Sequence, residues 1–439
     1  MSYPEAIQYL ESFINYEKIL SYPYKESLKL ERVKDFLVTI RNPQDSLRSL
    51  HVAGSKGKGS TCAFMAYVLK QAGYRVGLYT SPHLSDFRER IRILEPKGSG
   101  DFEGMISKKK LAGIVTKLKP AIERFHKKSK YGPLSFFEVY TTMAFTAFKE
   151  AKVDFAVLET GLGGRFDATN VVIPLVCALT PISYEHTQKL GNTLTEIARE
   201  KAGIIKGDRA TVISAPQEAE AREVIRSRCF ETGAKLYEVG RDILYEGRYD
   251  CFNIRGLFQE YPRLSVKLIG RHQMVNAAVA VGAIEALRYH HILIDEDPIK
   301  KGLTKTVWPG RLEILSRNPL VVLDGAQNAA SAGVIRQAIK ENFKYKRLIL
   351  ALGISNDKDI KGLCEGLKQI ADEVVVTRAD NPRATSPEVL ARYFEGKPVH
   401  KTSSVKEAKR VSKNIARKED LILVTGSLFV VGEFRDEDN

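Results

Sequence analysis

The stretch His51-Val-Ala-Gly-Ser-Lys-Gly-Lys-Gly-Ser-Thr61 restricts the fold of this chain more than any other. An apolar run ends at Ala53 and a helical pattern starts near Ser60, so the backbone passes from a strand through a glycine-rich turn into a helix. Glycines at 54, 57 and 59 allow backbone conformations closed to other residues and let N–H groups approach an anion. The following helix adds unpaired N–H donors and the positive end of its dipole, and Lys58 adds a point charge. Ser60 and Thr61 offer hydroxyls to a phosphate or a magnesium ion. The loop departs from the standard phosphate-binding pattern, because Val52 stands where the first glycine belongs and Gly59 separates Lys58 from Ser60.

After the cradle, Ala63 to Ala72 reads as a helix stopped by Gly73, and Arg75 to Thr80 as a strand, which makes one βαβ unit. An apolar segment from Leu134 to Phe148 leads into a second strand, Val153 to Leu158, and a third runs from Leu175 to Thr180. Beyond Lys206 come strand-like runs, a charged and irregular region from Arg241 to Arg263, and a helix from Val275 to Leu287. The polar stretch Asp295 to Pro309 marks a domain boundary, and strands near 320–323, 347–352, 373–377 and 421–425 then alternate with helices. The expected fold is α/β: a mostly parallel P-loop-type sheet over 1–305, followed by a smaller Rossmann-like α/β domain over 306–439. Two helices, Tyr3 to Ile14 and Ser27 to Ile40, form a lead-in.

In parallel α/β sheets, ligands gather at the C-terminal ends of strands. Ser81, Glu159 and Asp324 occupy such ends, and the loop after the third strand carries Glu185-His186. Glu159 at a strand end beside the cradle stands where nucleotide-hydrolysing folds hold magnesium. Ser81 reads equally as a ligand and as a turn serine, and a lone histidine is more often structural. Thr193-Leu-Thr-Glu196 caps a helix that carries Lys201. The run Arg88, Arg90, Arg92 faces either an anionic substrate or solvent.

The net charge of +15 favours anionic partners. The lysines are dispersed apart from a local excess between Lys108 and Lys130, which reads as a solvated helix face in preference to a nucleic-acid patch. Five cysteines, at 62, 177, 229, 251 and 364, form neither a metal spacing nor a disulfide framework. No apolar run is long enough to span a membrane and the first residues are no signal peptide, so a cytoplasmic protein is expected, with monomer as the default state.

Nine motifs in order resemble the folylpolyglutamate synthases, including bifunctional dihydrofolate synthases, within the Mur ligase superfamily. They are Val52-Ala-Gly-Ser-Lys-Gly-Lys-Gly-Ser-Thr61, Ser81-Pro-His-Leu84 with Arg88-Glu-Arg-Ile91, Phe136-Phe-Glu138, and Glu159-Thr-Gly-Leu-Gly-Gly-Arg-Phe-Asp-Ala-Thr-Asn170. Then follow Glu200-Lys-Ala-Gly-Ile-Ile-Lys206, His272-Gln with Asn276-Ala, Trp308-Pro-Gly-Arg-Leu-Glu313, Asp324-Gly-Ala-Gln-Asn328 and Thr425-Gly-Ser-Leu-Phe-Val-Val-Gly-Glu433.

The resemblance implies an ATP-dependent amide ligase that activates a carboxylate of dihydropteroate or folate as an acyl phosphate and joins it to L-glutamate; a Mur-type ligase acting on another acid is the alternative. It implies an ATPase domain followed by a glutamate ligase domain. Gly54, Ser55, Lys56, Gly57, Lys58, Gly59, Ser60 and Thr61 would hold ATP, together with Asn276, Arg311 and Asp324. Lys58, Lys201, Arg311 and Asp324 would serve catalysis. Ser81, Glu159 and His186 would bind magnesium, and Lys201 would carry a carbamate. Ser135, Phe136, Phe137, Glu138, Phe166, Asp167 and Ala168 match pterin-binding loops, and Gln327 and Ser427 fall to glutamate. The implied partners are small molecules, with no nucleic acid and no membrane.

Three positions depart from the family's pattern: Gln327 for a histidine, Glu185 for an aspartate and Lys56 for the commoner asparagine. A glutamine cannot become a cation, so at position 327 only a hydrogen-bonding role survives.

Overall fold

The computed structural model describes residues 1–19 and 22–436. Short apolar strands alternate with helices, and such strands, buried on both faces, assemble as parallel sheets. The first sheet contains β1 (Ser49–Ala53), β2 (Val76–Tyr79), β3 (Ile91–Leu94), β4 (Phe155–Glu159), β5 (Val176–Leu179), β6 (Thr211–Ser214) and β7 (Lys235–Glu238). Its order is β3-β2-β4-β1-β5-β6-β7, parallel throughout except for β3, which runs antiparallel to β2. The strand entering the cradle, β1, is therefore central, flanked by β4 and β5, and the ends of all three open on one edge.

The helix after the cradle, Lys58–Gln71, is buried along most of its length. On its outer side pack the helices His272–Glu285 and Glu296–Lys305. Gly302 permits the second approach, since a Cβ there would lie 2.4 Å from the Val68 Cα. The opposite face of the sheet is covered by the helices Lys108–Lys128 and Phe136–Ala151, and the lead-in helices Tyr3–Glu11 and Leu30–Thr39 join that core through Leu10, Val33, Phe36 and Leu37.

The charged region after Arg241 is not irregular. It forms a three-stranded antiparallel sheet, β8 (Leu244–Arg248), β9 (Cys251–Arg255) and β10 (Glu260–Leu264). Phe252 and Ile254 point inward while their neighbours face solvent, and the high share of charge on the wet face obscured this alternation.

The second sheet contains β11 (Glu313–Arg317), β12 (Leu320–Leu323), β13 (Leu348–Leu352), β14 (Glu373–Val376), β15 (Val399–Lys401) and β16 (Leu421–Thr425). Its order is β11-β12-β16-β13-β14-β15, with only β11 antiparallel to its neighbour. Among the described residues no helix is long and apolar enough to cross a membrane.

His51 of β1 is fully buried beneath the cradle, with Nε2 2.7 Å from the Thr169 hydroxyl. Burial, and secondarily Lys206, pushes its pKa from 6.5 down to about 3. As pH falls below 6.5 the unfolded chain takes up this proton and the folded one does not, so stability is lost towards pH 3 at about 1.4 kcal/mol per pH unit. Urea unfolding at pH 7 and pH 5 should show His51→Asn losing about 2 kcal/mol less on acidification than the parent chain. Equal losses would contradict a neutral His51.

Candidate active site

Gly57 caps the helix Lys58–Gln71 with φ +83°, and no side chain accepts from the first-turn N–H groups. Those donors stay free for an anion. The cradle glycines are also sterically required. A Cβ at Gly54 would lie 1.9 Å from the Thr180 hydroxyl, one at Gly57 2.2 Å from the Asn276 Oδ1, and one at Gly59 3.0 Å from the Trp308 Nε1. The end of β5, the helix His272–Glu285 and the linker to the second sheet thus enclose the loop. The buried Thr61 hydroxyl has no hydrogen-bond partner among the described residues.

Two ammonium groups meet at this loop. Lys58 Nζ donates to the Gly54 carbonyl at 3.1 Å, and Lys201 Nζ to the same oxygen at 2.8 Å. Lys201, on the helix Leu194–Ala202 behind its Thr193–Glu196 capping box, also pairs with Glu185 at 2.7 Å and is 1% exposed. Burial lowers the Lys201 pKa against the pull of Glu185. Burial alone would raise the Glu185 carboxyl, but Lys201 and then Lys58 hold it down at about 2.

At the ends of β2 and β4, the Ser81 N–H donates to Glu159 Oε2 at 3.1 Å. Glu159 is buried, and desolvation raises its pKa while Lys58 opposes the shift. His186, in a left-handed conformation at φ +47°, is held neutral with a pKa near 3, by burial first and then by Lys358. Among the described residues no three His, Cys, Asp or Glu side chains converge into a metal-holding group. An ion at Ser81, Glu159 and His186 would therefore complete its shell with oxygens of a bound ligand or water. That mixed set of hydroxyl, carboxylate and neutral imidazole suits magnesium with a phosphate, since magnesium takes few protein ligands.

Arg311 crosses from the second domain and lines one cavity with Gly59, Ser81, Glu159 and Trp308. Asp324, after β12, accepts N–H bonds from Leu312 at 3.0 Å and Ala326 at 2.9 Å, and burial raises its pKa against the field of Arg311. Asn276 Nδ2 donates to Gln273 Oε1 at 2.9 Å, so its side chain backs the cradle. The arginine run divides. Arg88 pairs with Asp86, Arg90 is buried against Glu17, and Arg92 lines the Arg311 cavity.

A wider cleft with about 1140 Å³ of empty space adjoins this cavity through Ser81, Pro82 and Leu428. Of the residues matched to pterin binding, Phe137, Glu138, Phe166, Asp167 and Ala168 line it. Ser135 and Phe136 do not. Ser135 caps the helix Phe136–Ala151, and Phe136 is buried with Arg90 above its ring at 5.3 Å. The Glu138 carboxylate is occupied by Arg32 at 2.8 Å, and that of Asp167 by the N–H groups of Gly161 and Leu162 and by Thr169. Both acids are engaged within the protein, so among the matched residues the rings of Phe137 and Phe166 offer the main apolar contact to the cleft.

Gln327 and Ser427 face the same cleft, with Ser427 Oγ accepting the Phe429 N–H at 3.2 Å. Sequence reasoning missed Tyr16, Tyr22, Lys189, Ser355, Lys358 and Arg383, which also line it. Lys358 and Arg383 reach one carboxylate, Asp357, at 3.4 and 3.2 Å, and the Arg383 Nε is unpartnered among the described residues. Only the compact Asp380-Asn-Pro-Arg383 turn gave any sequence signal.

The fold and the cleft are those of a Mur-type ligase. The Mur ligase middle domain matches residues 124–284, and the Mur ligase glutamate ligase domain matches residues 310–428. The dihydrofolate synthase/folylpolyglutamate synthase of Bacillus subtilis is 35% identical over 92% of this chain and 94% of its own. Mycobacterium tuberculosis folylpolyglutamate synthase, solved with ADP, superposes with a TM-score of 0.88 at 29% identity, covering 100% of this chain and 99% of that one. A bifunctional folylpolyglutamate synthase/dihydrofolate synthase, solved with manganese, AMPPNP and L-glutamate, gives a TM-score of 0.83 at 28% identity over 99% and 97% of the two chains. The chain belongs to the folylpolyglutamate synthase/dihydrofolate synthase family.

Gly57→Ala puts a Cβ into Asn276 at a left-handed φ, and it should lower ATP turnover about a hundredfold or more. ADP-release kinetics check this, with thermal unfolding as a control for folding. Near-normal turnover in a folded variant would remove Gly57 from the nucleotide site.

Proposed function

We propose that the chain is an ATP-dependent ligase joining the amino group of L-glutamate to a carboxylate of a pterin-bearing acid, dihydropteroate or a reduced folate, with release of ADP and phosphate. One observation carries this reading: a phosphate cradle, an aromatic wall and a cation pair held by one carboxylate share a continuous cleft between the two sheets. The names and bound molecules of the relatives agree with it. The domains meet between residues 305 and 306, after the helix Glu296–Lys305 and before β11.

A carboxylate is a poor electrophile until phosphate becomes its leaving group. The acid's oxygen attacks the γ-phosphorus of ATP and the bond to the β-phosphate oxygen breaks. The glutamate amine then attacks the acyl carbon and phosphate departs with the carboxylate oxygen, while the amine proton passes to solvent. The loop from Gly54 to Thr61 binds the phosphates, and Lys58 and Arg311 place positive charge where it is needed during transfer. Asp324 fixes the turn at Leu312 beside Arg311, and Asn276 supports the nucleotide side. Magnesium held by Ser81, Glu159 and His186 would neutralise phosphate charge. Lys358 and Arg383, with Gln327 and Ser427 beside them, receive the carboxylates of the incoming glutamate. The substrates are small molecules, in line with the positive net charge, and we read the chain as a cytoplasmic monomer that acts on neither nucleic acid nor membrane.

Lys201 is buried and its pKa is lowered, which favours the neutral amine that reacts with carbon dioxide. A carbamate there would face Glu185 with a like charge, so this reading requires a second divalent ion between them.

ADP release by the purified protein with ATP, magnesium and L-glutamate should depend on added dihydropteroate or tetrahydrofolate. Release that ignores the pterin, or no release with either acid, would overturn the proposal. Lys201→Ala leaves Glu185 buried and unpaired at a cost of about 3–5 kcal/mol, so its folding must be verified first. A folded variant should lose about two orders of magnitude in turnover, and recovery with added short-chain carboxylic acids is expected of a carbamate site. Unchanged turnover would remove Lys201 from catalysis.

A further inference from the structure

The cleft carries more positive charge than one incoming amino acid requires. Lys358 and Arg383 share Asp357, and on the ligase reading they receive the glutamate carboxylates. Lys189, on the short helix Thr187–Leu190 that follows His186, lies within the electrostatic reach of this group, feeling the Asp357 carboxylate and the charges of Lys358 and Arg383. Its ammonium lies 4.1 Å from the centre of the Tyr22 ring, and the Asp357 carboxylate acts on it only from beyond ion-pair distance. A cation over a tyrosine face gains roughly 0.5–2 kcal/mol. That contact orients Lys189 without neutralising it.

Tyr22 is itself held in place. Its ring packs against Tyr16 with centroids 4.4 Å apart. The neighbouring Glu17 is gripped by both terminal nitrogens of Arg90, at 2.8 and 2.6 Å, and the Arg90 Nε bonds His83 at 2.9 Å. A buried guanidinium thus anchors Glu17, the neighbour of Tyr16 in sequence. Tyr22 and the Lys189 ammonium both line the cleft shared by the aromatic wall of Phe137 and Phe166 and the cation pair.

The two acceptor acids differ in one relevant way. Dihydropteroate has a single carboxylate, which is consumed in forming the acyl phosphate. A folate that already bears glutamate keeps a second, ionised α-carboxylate, joined to the reacting carboxyl by a short aliphatic spacer. We propose that Lys189, oriented by Tyr22, binds this α-carboxylate, so that the cleft discriminates in favour of acceptors already glutamylated and supports chain elongation. The inference rests on the ligase reading above.

Steady-state kinetics of the purified full chain, with dihydropteroate and with tetrahydrofolate monoglutamate as acceptor, test it in the parent, Lys189→Gln, Lys189→Arg and Tyr22→Leu. Lys189→Gln should raise KM for tetrahydrofolate relative to KM for dihydropteroate by about tenfold or more, the loss of one charge-assisted contact, with kcat for tetrahydrofolate little altered. Lys189→Arg should restore most of the ratio. Tyr22→Leu should move it in the same direction by a smaller factor, and it carries the test independently if Lys189→Gln fails to fold. An unchanged ratio, or a parent chain that uses dihydropteroate alone, would overturn the inference while leaving the ligase reading intact. A parent chain inactive with both acids would overturn both.

Discussion

The carbonyl oxygen of Gly54 accepts hydrogen bonds from Lys58 and Lys201, and the shape of the cleft depends on this convergence. An isolated buried ammonium is costly, so the buried Lys201 needs partners, and the backbone oxygen it uses also serves the half-buried Lys58. Lys201 spends its remaining capacity on Glu185, which directs the loop bearing His186 toward the cradle. Gly54 in turn lies so close to Thr180 that no side chain fits. One carbonyl thereby links the ends of β1 and β5 with the helix Leu194–Ala202, and the candidate nucleotide and metal residues follow from that junction.

Charge is graded along the cleft. The nucleotide end combines free helix N–H groups, Lys58 and Arg311 with the buried carboxylates Glu159 and Asp324, whose proton affinities burial raises. Such carboxylates are poised to receive a cation, because a metal or guanidinium offsets the cost of keeping them ionised. The opposite end is aromatic and cationic, with Phe137, Phe166 and Tyr22 beside Lys189, Lys358 and Arg383. A ligand that is flat and apolar at one end and anionic at the other matches this order.

Much of this was legible in the residues. The cradle, the strand-end positions of Ser81, Glu159 and Asp324, and the restart of the α/β pattern after Pro309 all follow from periodicity and turn chemistry, which act locally. Residues that work through tertiary contact were not legible. Arg90 reads as part of a charged run facing either an anionic substrate or solvent, yet it is buried against Glu17, seventy-three positions away in sequence. Ser135 and Phe136 sit within a motif matched to ligand binding, yet the first caps a helix and the second fills the core. Tyr22, Lys189 and Lys358 lie in loops or on one short helix, where no repeat marks which way a side chain points.

The central claim is that both substrates meet in one cleft through an acyl phosphate, and isotope transfer tests it most directly. The acceptor acid is labelled with heavy oxygen in its reacting carboxylate, and the released phosphate is analysed by mass spectrometry after turnover with ATP and L-glutamate. Transfer of one labelled oxygen to phosphate for each amide formed is the predicted result. Amide formation with unlabelled phosphate would contradict carboxylate activation at the γ-phosphate and, with it, the assignment of the cleft.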